Sequence, residues 1–288
     1  MEKAGKGFRM SKILIRDREM FYEEKGAGFP LVFSHSFLWD HQMWAPQIDA
    51  LSKKYRCINI DLWGHGLSDS RPEKEISLEQ IAEDTWTLIE ALDLERFAFV
   101  GLSVGGMIGA ILALSHPEKI QSLSVMGSYV GAEPSDTLAE YLALMSQISE
   151  TGYFSQELQE MLAPYFFSPK TYHSNPKLIE NFKESLAAIT AEKIETITSI
   201  GKGIFTRSCL LKKLESMKVP TQYIVGSDDG PRPPKESEEM ASLTPGAECH
   251  VIPDAGHISC LEKPDFVTKA IDAFVQKASN HSCLKSVA

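Results

Sequence analysis

Short apolar runs alternate with segments of helical spacing over most of this chain. Residues 13–15 and 19–24 predict an opening hairpin, and 30–34 a short apolar strand. Residues 43–53 predict a helix, because Trp44, Ile48 and Leu51 recur three to four apart. A strand at 57–60 ends at Asp61 and leads into a glycine-bearing loop that runs to Asp69. Residues 78–92 read as an amphipathic helix, with Leu78, Ile81, Thr85, Leu88 and Leu92 on one face. A strand at 97–101, a helix at 104–115 stopped near His116-Pro117, and a strand at 120–126 follow. Beyond residue 205 the scheme returns, with strands at 220–226 and 248–252 and helices at 235–242 and 264–277. Apolar strands alternating with helices predict an α/β fold whose mostly parallel sheet is flanked by helices on both faces.

The stretch from 129 to 205 breaks this rhythm. It predicts helices at 137–150, 155–162 and 176–200, separated by Pro134, Pro164, Pro169 and Pro176, and no strand. The expected organisation is a core of 12–128 and 206–278, a helical lid of 129–205, and flexible tails at 1–11 and 279–288. Ligands in open α/β sheets bind at the carboxyl ends of the strands, so an insertion leaving from there is placed to cover the site. Within it, 164–176 is expected to be an open connection between helices.

Composition narrows the partners. Lysine and arginine total 29 against 39 aspartates and glutamates, a formal charge of −10 with no basic cluster, which argues against nucleic acid. The five cysteines are odd in number, widely spaced and without a Cys-x-x-Cys pair. That pattern predicts neither a disulfide framework nor a zinc site and fits a reducing, cytoplasmic setting. No apolar run has the length of a membrane span. A small-molecule substrate is the expected partner, a homo-oligomer is compatible with the composition, and neither cofactor nor metal is called for.

Candidate chemistry centres on Gly101-Leu102-Ser103-Val104-Gly105-Gly106. An apolar strand runs into this segment and a helix runs out of it, the setting in which a sharp turn lifts a serine nucleophile above a sheet edge. A serine capping a buried helix gives the same local pattern. A serine hydroxyl needs an adjacent base. His257, in the loop after the 248–252 strand, is the best placed, with His35 after the 30–34 strand as its rival; His65 and His116 lie in a glycine loop and before a proline. The base in turn needs a carboxylate to fix its tautomer. Asp228 and Asp229 both follow the 220–226 strand, and Asp229 is preferred because it lies one residue further from the strand end. An oxyanion would be held by the backbone amides of Val104 and of Phe37, in the loop after the first parallel strand.

Together, Gly101-Leu-Ser-Val-Gly-Gly-Met107, Asp61-Leu-Trp-Gly-His-Gly-Leu-Ser-Asp69, Gly226-Ser-Asp-Asp229 and Ala255-Gly-His257 resemble the α/β-hydrolase superfamily, over about residues 13–277. The elbow and the segment Gly256-His-Ile-Ser-Cys-Leu-Glu-Lys-Pro264 are most similar to the 3-oxoadipate enol-lactonase group and related esterases. The order Ser103, Asp229, His257 matches that fold's triad. Two positions depart from the family pattern: His35-Ser36 stands in place of His-Gly, and Trp63 in place of an arginine. The resemblance implies a serine hydrolase acting on a carboxylic ester or lactone of a small, largely apolar substrate. A meta-cleavage C–C bond hydrolase and a ligand-binding receptor on the same fold are the alternatives. Residues 129–205 hold ten acidic residues, five lysines and no arginine, which leaves Lys202 and Arg207 as candidates for an anionic group.

Overall fold

The computed structural model describes residues 8–71, 73 and 75–285. Eight strands form one sheet: β1 (Phe8–Ile15), β2 (Arg18–Gly26), β3 (Pro30–Ser34), β4 (Arg56–Ile60), β5 (Phe97–Leu102), β6 (Ile120–Met126), β7 (Thr221–Gly226) and β8 (Glu248–Ile252). Their spatial order is β1-β2-β4-β3-β5-β6-β7-β8. β1 pairs antiparallel with β2, and β2 with β4; the five remaining pairings are parallel. Every residue of β5, β6 and β7 is buried. Burial on both faces gives β5 an unbroken apolar sequence, Phe97-Ala-Phe-Val-Gly-Leu102, whereas β6 and β7 also bury polar side chains, among them Ser124 and Gln222, whose Nε2 donates to Ser124 Oγ at 2.8 Å.

Helices α1 (Ala45–Leu51), α2 (Leu78–Ala91) and α3 (Val104–Ser115) link the first parallel strands. α2 begins with a reciprocal capping box between Ser77 and Gln80. Between β6 and β7 lie α4 (Ser135–Thr151), α5 (Gln156–Phe166), α6 (Pro169–Ser174), α7 (Pro176–Ala187), α8 (Ala191–Phe205) and α9 (Leu211–Leu214). The chain closes with α10 (Pro234–Leu243), α11 (Ser259–Glu262) and α12 (Pro264–Lys285).

The structure departs from the sequence reading in local ways. Residues 8–11, expected in a tail, belong to β1 and pair with β2 from Phe8 opposite Lys25 to Ser11 opposite Tyr22. Residues 279–285, also expected in a tail, continue α12. No glycine or proline stops that helix, and Gln121 Nε2 donates to Ser279 Oγ at 2.6 Å. The remaining tail positions, 1–7 and 286–288, lie outside the described residues. The helix expected over 43–53 is a 3₁₀ turn (His41–Trp44) followed by α1. The helix expected over 176–200 is broken: Thr190 is extended, at φ −76° and ψ 152°, and separates α7 from α8. The open connection expected over 164–176 instead contains α6, capped by the Ser168 hydroxyl.

α8 crosses the core closely because it carries glycines where it touches. A β-carbon on Gly203 would sit 1.9 Å from the Ile76 carbonyl oxygen, a backbone atom that cannot swing aside. In an exposed helix, replacing glycine with alanine stabilises by about 1 kcal/mol. Here Gly203→Ala is expected to destabilise by about 1–3 kcal/mol through overpacking. Thermal unfolding tests this, and a midpoint at or above wild type would contradict the seating of α8.

Candidate active site

Ser103 occupies the turn between β5 and α3, at φ 58° and ψ −118°. A non-glycine residue held there costs on the order of 1–3 kcal/mol, so the surroundings must enforce it. They do so by close approach. A β-carbon on Gly101 would lie 2.2 Å from the Gly105 carbonyl, and one on Gly105 would lie 2.3 Å from the Ser34 carbonyl oxygen. The Ser103 amide donates to the Met126 carbonyl at 2.8 Å, and Ser128 Oγ donates to the Ser103 carbonyl at 2.8 Å. The serine is half-buried at the amino end of α3, and Val104, the first residue of that helix, follows it with an amide that needs a partner.

His257 follows β8 and Asp229 follows β7, and both are buried. The Nδ1 of His257 lies 3.0 Å from each carboxylate oxygen of Asp229. With the carboxylate accepting there, Nδ1 carries the proton and Nε2 is left as the acceptor. Asp229 Oδ1 also accepts from the Arg232 amide at 2.9 Å. β6 lies between the strands that supply the serine and the pair. Its end is kept open by Gly127, where a β-carbon would meet Asp229 Oδ2 at 2.9 Å and His257 Nδ1 at 3.2 Å. Asp228, the competing aspartate, is exposed, and its amide donates to the Ala255 carbonyl at 2.9 Å.

The rival His35, and His65 beside it, are fixed in other work. His35 Nδ1 donates to the Ser36 carbonyl at 2.8 Å, and its Nε2 accepts from the Leu62 amide at 2.9 Å. His65 Nδ1 donates to the Trp63 carbonyl at 2.8 Å, and its Nε2 accepts from the Leu38 amide at 3.2 Å. Burial holds both below the usual imidazole range, His65 down to about 3 with a contribution from His35. Two neutral rings thus staple the loop after β3 to the loop after β4. His116 stacks on Trp86, with centroids 3.6 Å apart. Trp63, at the family's arginine position, donates to Asp84 at 3.0 Å, and the Arg71 guanidinium lies 5.7 Å over its ring.

Ser36 is fully buried, and its Oγ lies 3.4 Å from His257 Nε2. Among the contacts of the described residues, no hydrogen bond yet joins Ser103 Oγ to Nε2. Hydrogen bonds of this kind often tighten only when substrate binds.

Ser36, Phe37, Ser103 and His257 line one cavity of about 450 Å³. Its other walls come mainly from the helical insertion, including Tyr141, Leu144, Met145, Leu162 and Phe166. A second cavity of about 580 Å³ shares Leu38 with the first but touches none of Ser103, Asp229 and His257. Neither Lys202 nor Arg207 lines the first cavity; Arg232 does. Arg207 Nη1 donates to Glu133 at 2.6 Å, and Arg232 pairs with the same carboxylate. Arg232 lies outside residues 129–205, so a count of cations within the insertion could not find it. Among the described residues no group of three or more His, Cys, Asp or Glu is placed to hold a metal ion, and no helix is long and apolar enough to cross a membrane.

The chain matches the family model described as alpha/beta hydrolase fold over residues 30–264. It is 28% identical to 3-oxoadipate enol-lactonase 1 of Acinetobacter baylyi over 246 residues, 85% of this chain and 88% of that one. In structure it is similar to a thermophilic esterase from Thermogutta terrifontis, with TM-score 0.86 and 26% identity, covering 94% of this chain and 99% of that one. It is also similar to the enol-lactonase from Burkholderia xenovorans, with TM-score 0.80 and 26% identity, covering 92% of this chain and 100% of that one. With most of its length matched by the family model and the sheet order described above, this chain belongs to the α/β-hydrolase fold family.

Proposed function

We propose that this chain is a serine hydrolase that cleaves a carboxylic ester or lactone of a small, largely apolar substrate through an acyl-enzyme. The observation that carries the reading is the bonded His257–Asp229 pair facing the cavity that also holds Ser103 on its strained turn. In this mechanism His257 Nε2 takes the Ser103 proton as Oγ attacks the carbonyl carbon. The Asp229 carboxylate holds the tautomer and stabilises the imidazolium. The amides of Phe37 and Val104 receive the oxyanion, and the imidazolium then protonates the departing alkoxide. Water, activated by the same nitrogen, releases the acid and restores Ser103.

The apolar walls support a largely apolar substrate, and the cavity has the size typical of small-molecule sites. Its one arginine, Arg232, is already engaged by two carboxylates, Glu133 and, at 3.6 Å, Glu236. Likeness to an enol-lactonase and to an esterase favours the same bond classes. The four described cysteines are free thiols, which suits the cytoplasmic location proposed here.

A panel of chromogenic esters and lactones of graded acyl length tests the reading, with dienoate C–C substrates as a comparison. Short and medium esters are expected to turn over, and Ser103→Ala to lose about three or more orders of magnitude while keeping its fold. Ester turnover that survives in Ser103→Ala would sink the proposal. Turnover of dienoates alone would move the chain to C–C cleavage. Asp229→Asn is expected to cost about 10⁴-fold in turnover, and Asp228→Asn to stay close to wild type; steady-state kinetics on one activated ester decide the ranking. An imidazolium cannot accept the Ser103 proton, so turnover should fall on the acid side and level off once the ring is neutral. A rate that stays flat from acid to alkaline pH, with chemistry limiting, would contradict the role of His257.

A further inference from the structure

Outside the residues that face the cavity, one carboxylate gathers an unusual set of donors. Glu262, the last residue of α11, accepts from the Gly256 amide at 2.7 Å through Oε1. Its Oε2 accepts from the Ser168 amide at 2.9 Å, from Ser168 Oγ at 2.7 Å and from Thr171 Oγ1. Gly256 immediately precedes His257. Ser168 and Thr171 belong to the corner between α5 and α6 of the helical insertion, and both are buried. Just past the histidine, the Ile258 amide donates to the Phe166 carbonyl at 3.1 Å, at that same corner.

His257 is therefore bracketed. The amide before its own and the amide after it are both anchored to residues 166–171, one through Glu262 and one directly. The contact is close: a β-carbon on Gly256 would lie 2.6 Å from the Ser168 nitrogen. Phe166 completes it by setting its ring edge-on to the imidazole, with centroids 5.6 Å apart and planes at 66°. On the other side the loop is tied to the turn that follows β7, through Asp228 N to the Ala255 carbonyl at 2.9 Å and Asp254 N to Ser227 Oγ at 3.0 Å. The histidine loop thus spans from sheet to insertion.

We propose that Glu262 is a positioning residue for His257: it fastens the α5–α6 corner of the insertion to the histidine loop, so that this corner acts as part of the base's support and not as a mobile cover. The proposal rests on the reading of His257 as the base. Misplacing a reacting group by about 1 Å costs up to about 10²-fold in rate. A glutamine at 262 keeps the volume, but whichever way its amide turns, an NH₂ group faces donors where the carboxylate accepted them.

The test compares Glu262→Gln in the wild-type enzyme and in a His257→Ala background, on one activated ester. The expected result is a fall in kcat of about tenfold to a hundredfold with KM little changed, and no further loss in the His257→Ala background. A residue that acts through the base has nothing left to act on once the base is gone. Loss by the same factor in both backgrounds would assign Glu262 a merely structural role and overturn the proposal, as would a Glu262→Gln enzyme with wild-type kcat. If Glu262→Gln does not fold, Ser168→Ala and Thr171→Val remove hydroxyl donors from the insertion side and leave the carboxylate in place. They should show a smaller loss in kcat that also vanishes without His257, and an unchanged kcat in both would overturn it. Wild-type turnover in His257→Ala alone would instead sink the proposed function.

Discussion

Between Gly101 and Gly105 there is no room for a β-carbon, and the geometry of the whole site depends on that closeness. β5 and α3 meet so tightly that Ser103 is pressed into a backbone conformation that its side chain disfavours. The same approach seats α3 against the Ser34 carbonyl at the end of β3, the strand whose following loop carries Ser36 and Phe37. Because β3 and β5 are hydrogen-bonded neighbours, with Ser34 opposite Gly101, the serine and the proposed oxyanion loop are placed by a single stretch of ladder. The strain at Ser103 is a small cost beside the burial of every residue in β5 and β6.

The other half of the site is polar and is held by directed bonds. Asp229 and His257 meet against the open end of β6, where Gly127 leaves space for the pair. Neutral His35 and His65 lock the loops on the far side, with both ring nitrogens of each engaged. Asp61, fully buried beside them, accepts from the His41 amide at 2.7 Å and the Leu67 amide at 2.8 Å. Burial pushes its carboxyl up, but the hydrogen-bonded His41 ring and then the Leu67 amide outweigh that and hold it below the usual range. Of His35, His41, His65 and His257, only His257 lines the cavity that contains Ser103.

The fold class was legible because short, mainly apolar strand segments alternate with segments of helical spacing, and the elbow glycines mark a steric demand that is local in sequence. What was not legible depends on contacts between distant segments. In the sequence the preference for Asp229 over Asp228 rests on loop length alone; what decides it is how the loop after β7 turns, with Asp229 on His257 and Asp228 in solvent. Phe8 to Ser11 joins the sheet only because β2 supplies a partner. α6 exists because Ser168 caps it and Glu262, 94 residues away, receives that cap. Arg232 could not be found by counting charges in the insertion, since it enters the cavity from the loop after β7. The departure at Ser36 was visible as a residue, but its approach to His257 Nε2 was not.

The central claim is that acyl transfer passes through Ser103 Oγ, and a rapid-quench experiment addresses it most directly. The enzyme would be mixed with an activated ester, quenched in acid within milliseconds, digested and mapped by mass. The account predicts the added acyl mass on the one peptide that contains Ser103, appearing with the burst of leaving group and disappearing as substrate is consumed. An acyl group on any other residue, or a burst of leaving group with no covalent adduct on the protein, would contradict it.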